Sequence, residues 1–212
     1  MSMEKEVSFK TTKTYSTLNT INIKNQNIWF ACHGMVQLSH YFLNNFSNIS
    51  KENNYIIAPQ APSKFYQSTQ TRRVGACWLT KENTQLEQEN IFRYFDEILN
   101  QEKPVTPNIF MGFSQGVSVM LRYLAYKKLN VKDIVIMSGK IPVELKEADF
   151  NFLSMKTNVW LSYGLNDPLL NNEIITIEIN KSRQLFGKRV NTMAFDGKHE
   201  IHQELILNLG NR

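Results

Sequence analysis

Apolar residues in this chain gather into short, mostly continuous runs set between polar stretches. Ile28-Trp29-Phe30-Ala31-Cys32, Tyr55-Ile56-Ile57-Ala58, Ile109-Phe110-Met111, Ile134-Val135-Ile136-Met137, Val159-Trp160-Leu161-Ser162-Tyr163 and Val190-Asn191-Thr192-Met193-Ala194-Phe195 have strand length. Runs without strict alternation predict a sheet covered on both faces. Between them the spacing turns helical. In 84–100, Leu86, Ile91, Phe95, Ile98 and Leu99 form one stripe behind a capping-box pattern at Thr84 and Glu87. Val117, Met120, Leu121, Leu124 and Ala125 recur after the third run, and Ile201, Leu205 and Leu209 repeat every four residues in 200–209. The stretch 171–186 pulls two ways: Ile175-Thr176-Ile177-Glu178-Ile179 alternates like a strand, whereas its place in a strand-helix-strand order requires a helix, which is the reading adopted. At the start, Val7–Thr11 and Thr14–Leu18 alternate and predict an edge hairpin. The expected fold is α/β, a mostly parallel doubly wound sheet with that N-terminal hairpin. Without an internal repeat or linker, 1–212 is expected to be a single domain.

Composition narrows the class without adding chemistry. A chain of 212 residues can bury a core without metals or disulfides, and 42% hydrophobic with 20% charged residues excludes a disordered chain. The start, Met1-Ser2-Met3-Glu4-Lys5-Glu6, lacks an apolar segment, and no stretch approaches the ~20 apolar residues of a bilayer span, so a cytoplasmic location is expected. Cys32 and Cys77 both lie in apolar surroundings and read as buried free thiols. The net charge of +5, with Lys181, Arg183, Lys188, Arg189 and Lys198 late in the chain, reads as a solvated surface, because no aromatic-interleaved basic motif accompanies it. No nucleic-acid partner is expected.

The chemistry concentrates at Gly112-Phe113-Ser114-Gln115-Gly116, between an apolar strand and an amphipathic helix. A turn this sharp holds a serine hydroxyl clear of the sheet and leaves no room for side chains at the flanking positions. The helix behind it aims free N–H groups at any oxyanion formed there. A serine nucleophile needs a base, and the base needs an acid. His33 and His40 precede the serine, whereas His199 follows the last strand on a glycine-containing loop and is the expected base, with His202 as the alternative. Asp167, in Gly164-Leu165-Asn166-Asp167-Pro168, follows an apolar strand and is the expected acid. Asp196 and Asp149 compete, although Asp196 is too near His199 in sequence to reach its far nitrogen easily. The order Ser, Asp, His, each at the end of a strand, is that of α/β hydrolases. The oxyanion donors would be the N–H of Gln115 and one from the loop after His33-Gly34, most simply Met35.

Other chemistries fit poorly. His199-Glu200-Ile201-His202 places its second histidine one position early for the zinc motif H-E-x-x-H, and no glycine-rich phosphate loop occurs, so neither metal nor cofactor is expected.

Cys32-His33-Gly34, Ala58-Pro59-Gln60-Ala61-Pro62, Gly75-Ala76-Cys77-Trp78, Gly112-Phe113-Ser114-Gln115-Gly116, Gly164-Leu165-Asn166-Asp167-Pro168 and Gly197-Lys198-His199-Glu200-Ile201 together resemble the phospholipase/carboxylesterase family of α/β hydrolases, which includes bacterial carboxylesterases and acyl-protein thioesterases. The resemblance implies a Ser114, Asp167, His199 triad that cleaves small-molecule esters or thioesters through an acyl-enzyme. It departs after His33-Gly34, where Val36 follows Met35 and a second glycine is usual, so a differently shaped oxyanion loop is expected. The segment 139–158 is too short for a cap, which predicts an open site taking short-to-medium acyl chains. The connection 59–81 is expected to wall the pocket with Phe65 and Tyr66, and Trp78 reads equally as pocket or core. Leu165, Leu169 and Leu170 flank the acid and are candidates for an acyl site. A thioesterase or acyltransferase is the nearest alternative. A non-catalytic binding protein on the same scaffold need not keep its triad, and here every member is in place.

Overall fold

Each of the six apolar runs forms a strand in the computed structural model, which describes residues 2–22, 24–68, 70–103 and 105–212. The strands are β1 (Tyr15–Leu18), β2 (Asn27–Cys32), β3 (Asn54–Pro59), β4 (Ser63–Tyr66), β5 (Val74–Cys77), β6 (Ile109–Phe113), β7 (Asp133–Met137), β8 (Asn158–Gly164) and β9 (Val190–Phe195). Seven of them build one sheet in the order β1-β3-β2-β6-β7-β8-β9, while β4 and β5 form a separate antiparallel pair. Only β1 runs antiparallel, against β3, and the remaining pairings of the large sheet are parallel. From β2 the chain moves outward to β3 and then returns to β6 on the other side of β2. The carboxyl ends of β2 and β6 therefore flank the switch point where open α/β sheets bind ligands.

The helices are α1 (Ser39–Phe42), α2 (Thr84–Gln101), α3 (Gln115–Lys127), α4 (Asn172–Phe186) and α5 (Gln203–Gly210). Because strand side chains alternate, β2 sends Phe30 and Cys32 to one face and Trp29 and Ala31 to the other. Phe30, Ile57, Phe110 and Ile134 meet Phe95 of α2, Tyr123 of α3 and Phe186 of α4. Trp29, Ile56, Met111 and Val135 meet Phe42, Phe46 and the α5 residues Leu205 and Leu209. Each such side chain removed from water stabilises the fold by about 1.5–3 kcal/mol, so two covered faces make the sheet rigid enough to hold loops at its edge.

Three local expectations differ from the structure. Val7–Thr11 forms no strand: Val7 and Phe9 are exposed, the connection to Thr14 lacks the glycine or asparagine that a tight turn needs, and β1 pairs with β3 instead. The capping box at Thr84 is not made, because the N-cap is Asn83, in a left-handed conformation, and Thr84 Oγ1 donates to the Thr80 carbonyl at 2.7 Å. The last helix begins at Gln203, three residues after the periodicity would start it. The equivocal stretch 171–186 is helical, capped by Asn171, whose side chain accepts from the Ile174 N–H at 2.9 Å. Cys32 is buried and Cys77 half-buried, both as free thiols.

Candidate active site

Ser114 sits between β6 and α3 with φ 52° and ψ −121°, a backbone conformation costly for any residue with a Cβ. The surrounding structure enforces it. A Cβ on Gly112 would stand 2.5 Å from Val117 Cα, and one on Gly116 would stand 2.1 Å from the Cys32 carbonyl oxygen. The two glycines are thus required by close approach of α3 to the sheet, and the Ser114 N–H is held by the Met137 carbonyl at 2.9 Å.

At the neighbouring strand ends two loops bring partners to this hydroxyl. Leu165 N–H donates to the Phe195 carbonyl and Asn166 N–H to that of Gly197, each at 2.9 Å, tying the loop after β8 to the loop after β9. His199 lies there with Nε2 2.8 Å from Ser114 Oγ and Nδ1 2.7 Å from Asp167 Oδ2. A carboxylate can only accept, so Nδ1 carries the proton and Nε2 is free to accept from the serine. The Asp167 side chain is fully buried, and its Oδ1 accepts from the Leu169 N–H at 2.8 Å. The Phe113 ring, 5.2 Å from the imidazole, packs against it.

The alternative residues are held elsewhere. His202 Nδ1 lies 2.7 Å from Ser162 Oγ, its ring stacks on Phe195 at 4.5 Å, and burial pushes its pKa down. Asp196 accepts from Asn166 Nδ2, and Asp149 caps the turn at Lys146. His40 is exposed on α1.

His33 has a structural task that the sequence did not disclose. It is fully buried, donates from Nδ1 to the Gly34 carbonyl at 2.7 Å, and accepts at Nε2 from the Ala61 N–H at 3.1 Å. It thereby joins the loop after β2 to the Pro-Gln-Ala-Pro segment as a neutral ring. Burial pushes its pKa down to about 4 from the ordinary 6.5. In the unfolded chain the ring regains its ordinary value, so as pH falls through about 6.5 the unfolded state gains a proton that the folded state refuses. Stability contributed by this depressed pKa is complete above about pH 6.5 and declines toward about pH 4, by on the order of 3 kcal/mol. Urea midpoints over that range should show the decline in the parent and a shallower one in His33→Gln; parallel curves would reject it.

The loop beyond Gly34 carries the expected second oxyanion donor. Among the described residues, neither the Met35 nor the Gln115 N–H has a hydrogen-bond partner within the protein. Val36 adopts φ 64°, a left-handed conformation that glycine takes freely and a β-branched residue takes only under constraint. That constraint is visible: Val36 N–H donates to the Ala76 carbonyl at 2.8 Å, Gly34 N–H to Gln37 Oε1 at 2.8 Å, and Gln67 Nε2 to the Val36 carbonyl at 3.1 Å. Gln115 also clasps the strand β5 exit, accepting from the Trp78 N–H at 2.9 Å and donating to the Leu79 carbonyl at 2.7 Å.

A cleft of about 320 Å³ opens beside Ser114 and His199, lined also by Gln115, Ser118, Ser138, Gly139, Lys140, Leu169 and Leu170. Several expected wall residues stand outside this lining. Trp78 is a core residue, its Nε1 donating to the His33 carbonyl at 2.7 Å and its ring 5.6 Å from Phe95. Phe65 and Tyr66 extend on the β4–β5 pair toward solvent, and Leu165 is exposed because its backbone is turned to Phe195. Ser118, Ser138, Gly139 and Lys140 were not anticipated, although the last three follow β7 at the same sheet edge and the strand-end rule would have found them. No group of three or more His, Cys, Asp or Glu side chains able to hold a metal occurs among the described residues, and no helix among them is long and apolar enough to cross a membrane.

The sheet order and the elbow between β6 and α3 are those of the α/β-hydrolase fold. Residues 17–209 match the sequence model of the phospholipase/carboxylesterase family, and the chain belongs to that family. Solved structures agree in fold at low identity. Acyl-protein thioesterase 2 of Zea mays superposes with a TM-score of 0.69 at 14% identity, over 93% of this chain and 98% of that one. A phospholipase/carboxylesterase of Dyadobacter fermentans gives 0.62 at 17%, over 96% and 97%, and the carboxylesterase of Bacillus cereus 0.66 at 12%, over 93% and 92%. No curated protein matches the sequence.

Proposed function

We propose that this chain is a serine hydrolase that cleaves small-molecule carboxylic esters of short-to-medium acyl chains through an acyl-enzyme on Ser114. The observation carrying this reading is the unbroken relay Ser114 Oγ, His199, Asp167, with contacts of 2.8 and 2.7 Å at the strand edge. As Ser114 Oγ attacks the ester carbonyl, its proton passes to His199 Nε2, and the imidazolium is stabilised by Asp167. The carbonyl oxygen becomes an oxyanion, received by the N–H groups of Gln115 and Met35; such a donor is typically worth about 3 kcal/mol in the transition state. His199 then protonates the departing alkoxide. In the second half, water gives a proton to His199 as it attacks the acyl carbon; the acyl–Oγ bond then breaks, His199 returns that proton to Ser114 Oγ, and the carboxylic acid leaves.

The cleft volume lies at the low end of small-molecule sites, in keeping with acyl chains of modest length, and Leu169 and Leu170 supply apolar surface for them. Thioesters present the same carbonyl and remain the nearest alternative substrate. No cofactor enters this scheme. The protein incubated with a fluorophosphonate should gain one adduct, mapped by peptide mass spectrometry to Ser114, with loss of p-nitrophenyl butyrate turnover. Stoichiometric ligand binding with neither adduct nor nitrophenol burst would instead mark a binding protein on a hydrolase scaffold.

A further inference from the structure

The lining of the cleft combines two chemistries. Leu169 and Leu170 are apolar. Ser118, Ser138 and Lys140 are hydrogen-bond donors, and no carboxylate lines the cleft among the described residues. Ser118 Oγ accepts from Arg122 Nη1, and because a guanidinium only donates, the serine proton is left to point elsewhere. Ser138 is 2% exposed, and its Oγ has no hydrogen-bond partner among the described residues. An orphaned buried hydroxyl of this kind is costly unless something else satisfies it. Lys140 is exposed and makes no ion pair among the described residues.

The turn bearing Ser138 and Lys140 is rigidly placed. Ser138 has φ 45°, and its N–H donates to the Ser162 carbonyl at 2.8 Å. A Cβ on Gly139 would stand 2.4 Å from the Ser114 carbonyl oxygen, so the turn rests on the elbow itself. At its far end both backbone groups of Ile141 are gripped by α4, the N–H by Glu178 Oε2 at 2.8 Å and the carbonyl by Lys181 Nζ at 3.0 Å. Of the nearby acids, Glu178 accepts from Ile141 and feels the charges of Lys181 and Lys140, and Glu144 pairs with Arg122 at 2.6 Å. Lys140 therefore adds to these donors a positive charge that is held in no direct ion pair among the described residues.

We propose that these donors form a carboxylate subsite, so that the preferred substrates are esters carrying an anionic carboxylate a few bonds from the scissile carbonyl. The proposal rests on the hydrolase reading above and adds a substrate class to it. A carboxylate accepts from Lys140 Nζ and the Ser118 hydroxyl, and a turn of the buried Ser138 side chain about χ1 offers it the orphaned hydroxyl, while the hydrocarbon linker lies on Leu169 and Leu170.

The test compares kcat/KM for charged and neutral pairs. p-Nitrophenyl hemiglutarate against p-nitrophenyl valerate probes the acyl side, and 3-carboxyphenyl butyrate against phenyl butyrate probes the leaving-group side. The parent should favour the carboxylate in one pair by roughly tenfold, the size of one charged hydrogen bond. Lys140→Met should bring that ratio to near parity, Lys140→Glu should invert it, and Ser138→Ala should lower it about threefold. Ratios at or below parity in both pairs, or ratios indifferent to both Lys140 substitutions, overturn the proposal. Calorimetric titration with glutarate gives a reading independent of turnover: binding to the parent that Lys140→Glu abolishes supports the subsite, and equal or absent binding in both rejects it. Failure of the hydrolase reading is recognised separately, by neutral esters left intact and no phosphonate adduct at Ser114.

Discussion

Ser114→Ala is expected to lower kcat for p-nitrophenyl butyrate by roughly 10⁵–10⁶-fold, leaving KM within a few-fold of the parent. The alanine removes the atom that forms the acyl bond and little else: the backbone of the elbow is fixed by its contacts with α3 and by the Ser114 N–H bond to Met137, not by the hydroxyl. The Gln115 and Met35 N–H groups stay in place, so residual rate above the uncatalysed reaction should survive from oxyanion stabilisation and binding alone. Thermal stability should change by less than about 1 kcal/mol, because the residue is partly accessible and, among the described residues, its side chain bonds to His199 alone. Turnover by the variant at the parental rate, measured by nitrophenol release in a preparation with parental melting behaviour, would exclude Ser114 as nucleophile. A variant that keeps the rate and yet resists phosphonate labelling would point to a different nucleophile in the same cleft.

The parts of the fold that could be read from sequence are those in which one physical requirement dominates. Strands β2, β3, β6, β7 and β8 are buried on both faces, so nearly every position must be apolar and the run is continuous. Helix α4 was harder because two of its buried positions are polar. Glu178 is spent on the Ile141 N–H and Ser182 on the Ile179 carbonyl, while Ile177 is 54% exposed; the stripe Ile175, Glu178, Ser182, Leu185, Phe186 thus hides its helical period. The β4–β5 pair went unseen because its four-residue strands lie outside the main sheet, and β4 exposes every residue. Ser114, Asp167 and His199, which the structure brings into one hydrogen-bonded chain, were legible as types at strand ends. The cleft was not, since which side of a loop faces the serine depends on backbone bonds such as that from Leu165 to Phe195, which leave no trace in composition. Val36 shows the same limit in reverse: an expected glycine is absent, yet hydrogen bonds to Ala76 and Gln67 impose a left-handed backbone on valine.

Asp167→Asn should reduce kcat by roughly 10⁴-fold, more than loss of a charge alone would require. The reason is orientation. The Leu169 N–H needs an acceptor at the position now held by Oδ1, so an asparagine there must turn its carbonyl oxygen to Leu169 and its NH₂ to His199. That NH₂ donates to Nδ1, which forces the imidazole proton onto Nε2, the nitrogen 2.8 Å from Ser114 Oγ. A protonated Nε2 cannot accept the serine proton, and the ring is locked in the wrong tautomer although every heavy atom keeps its place. The side chain is fully buried, so water cannot restore the missing acceptor. Asp196→Asn supplies the contrast, since Asp196 only accepts from Asn166 Nδ2 at 3.0 Å and should keep the rate within about threefold. The two variants assayed side by side with p-nitrophenyl butyrate, each with its melting temperature, decide the assignment of the acid: equal losses, or a larger loss at Asp196, would move the role away from Asp167.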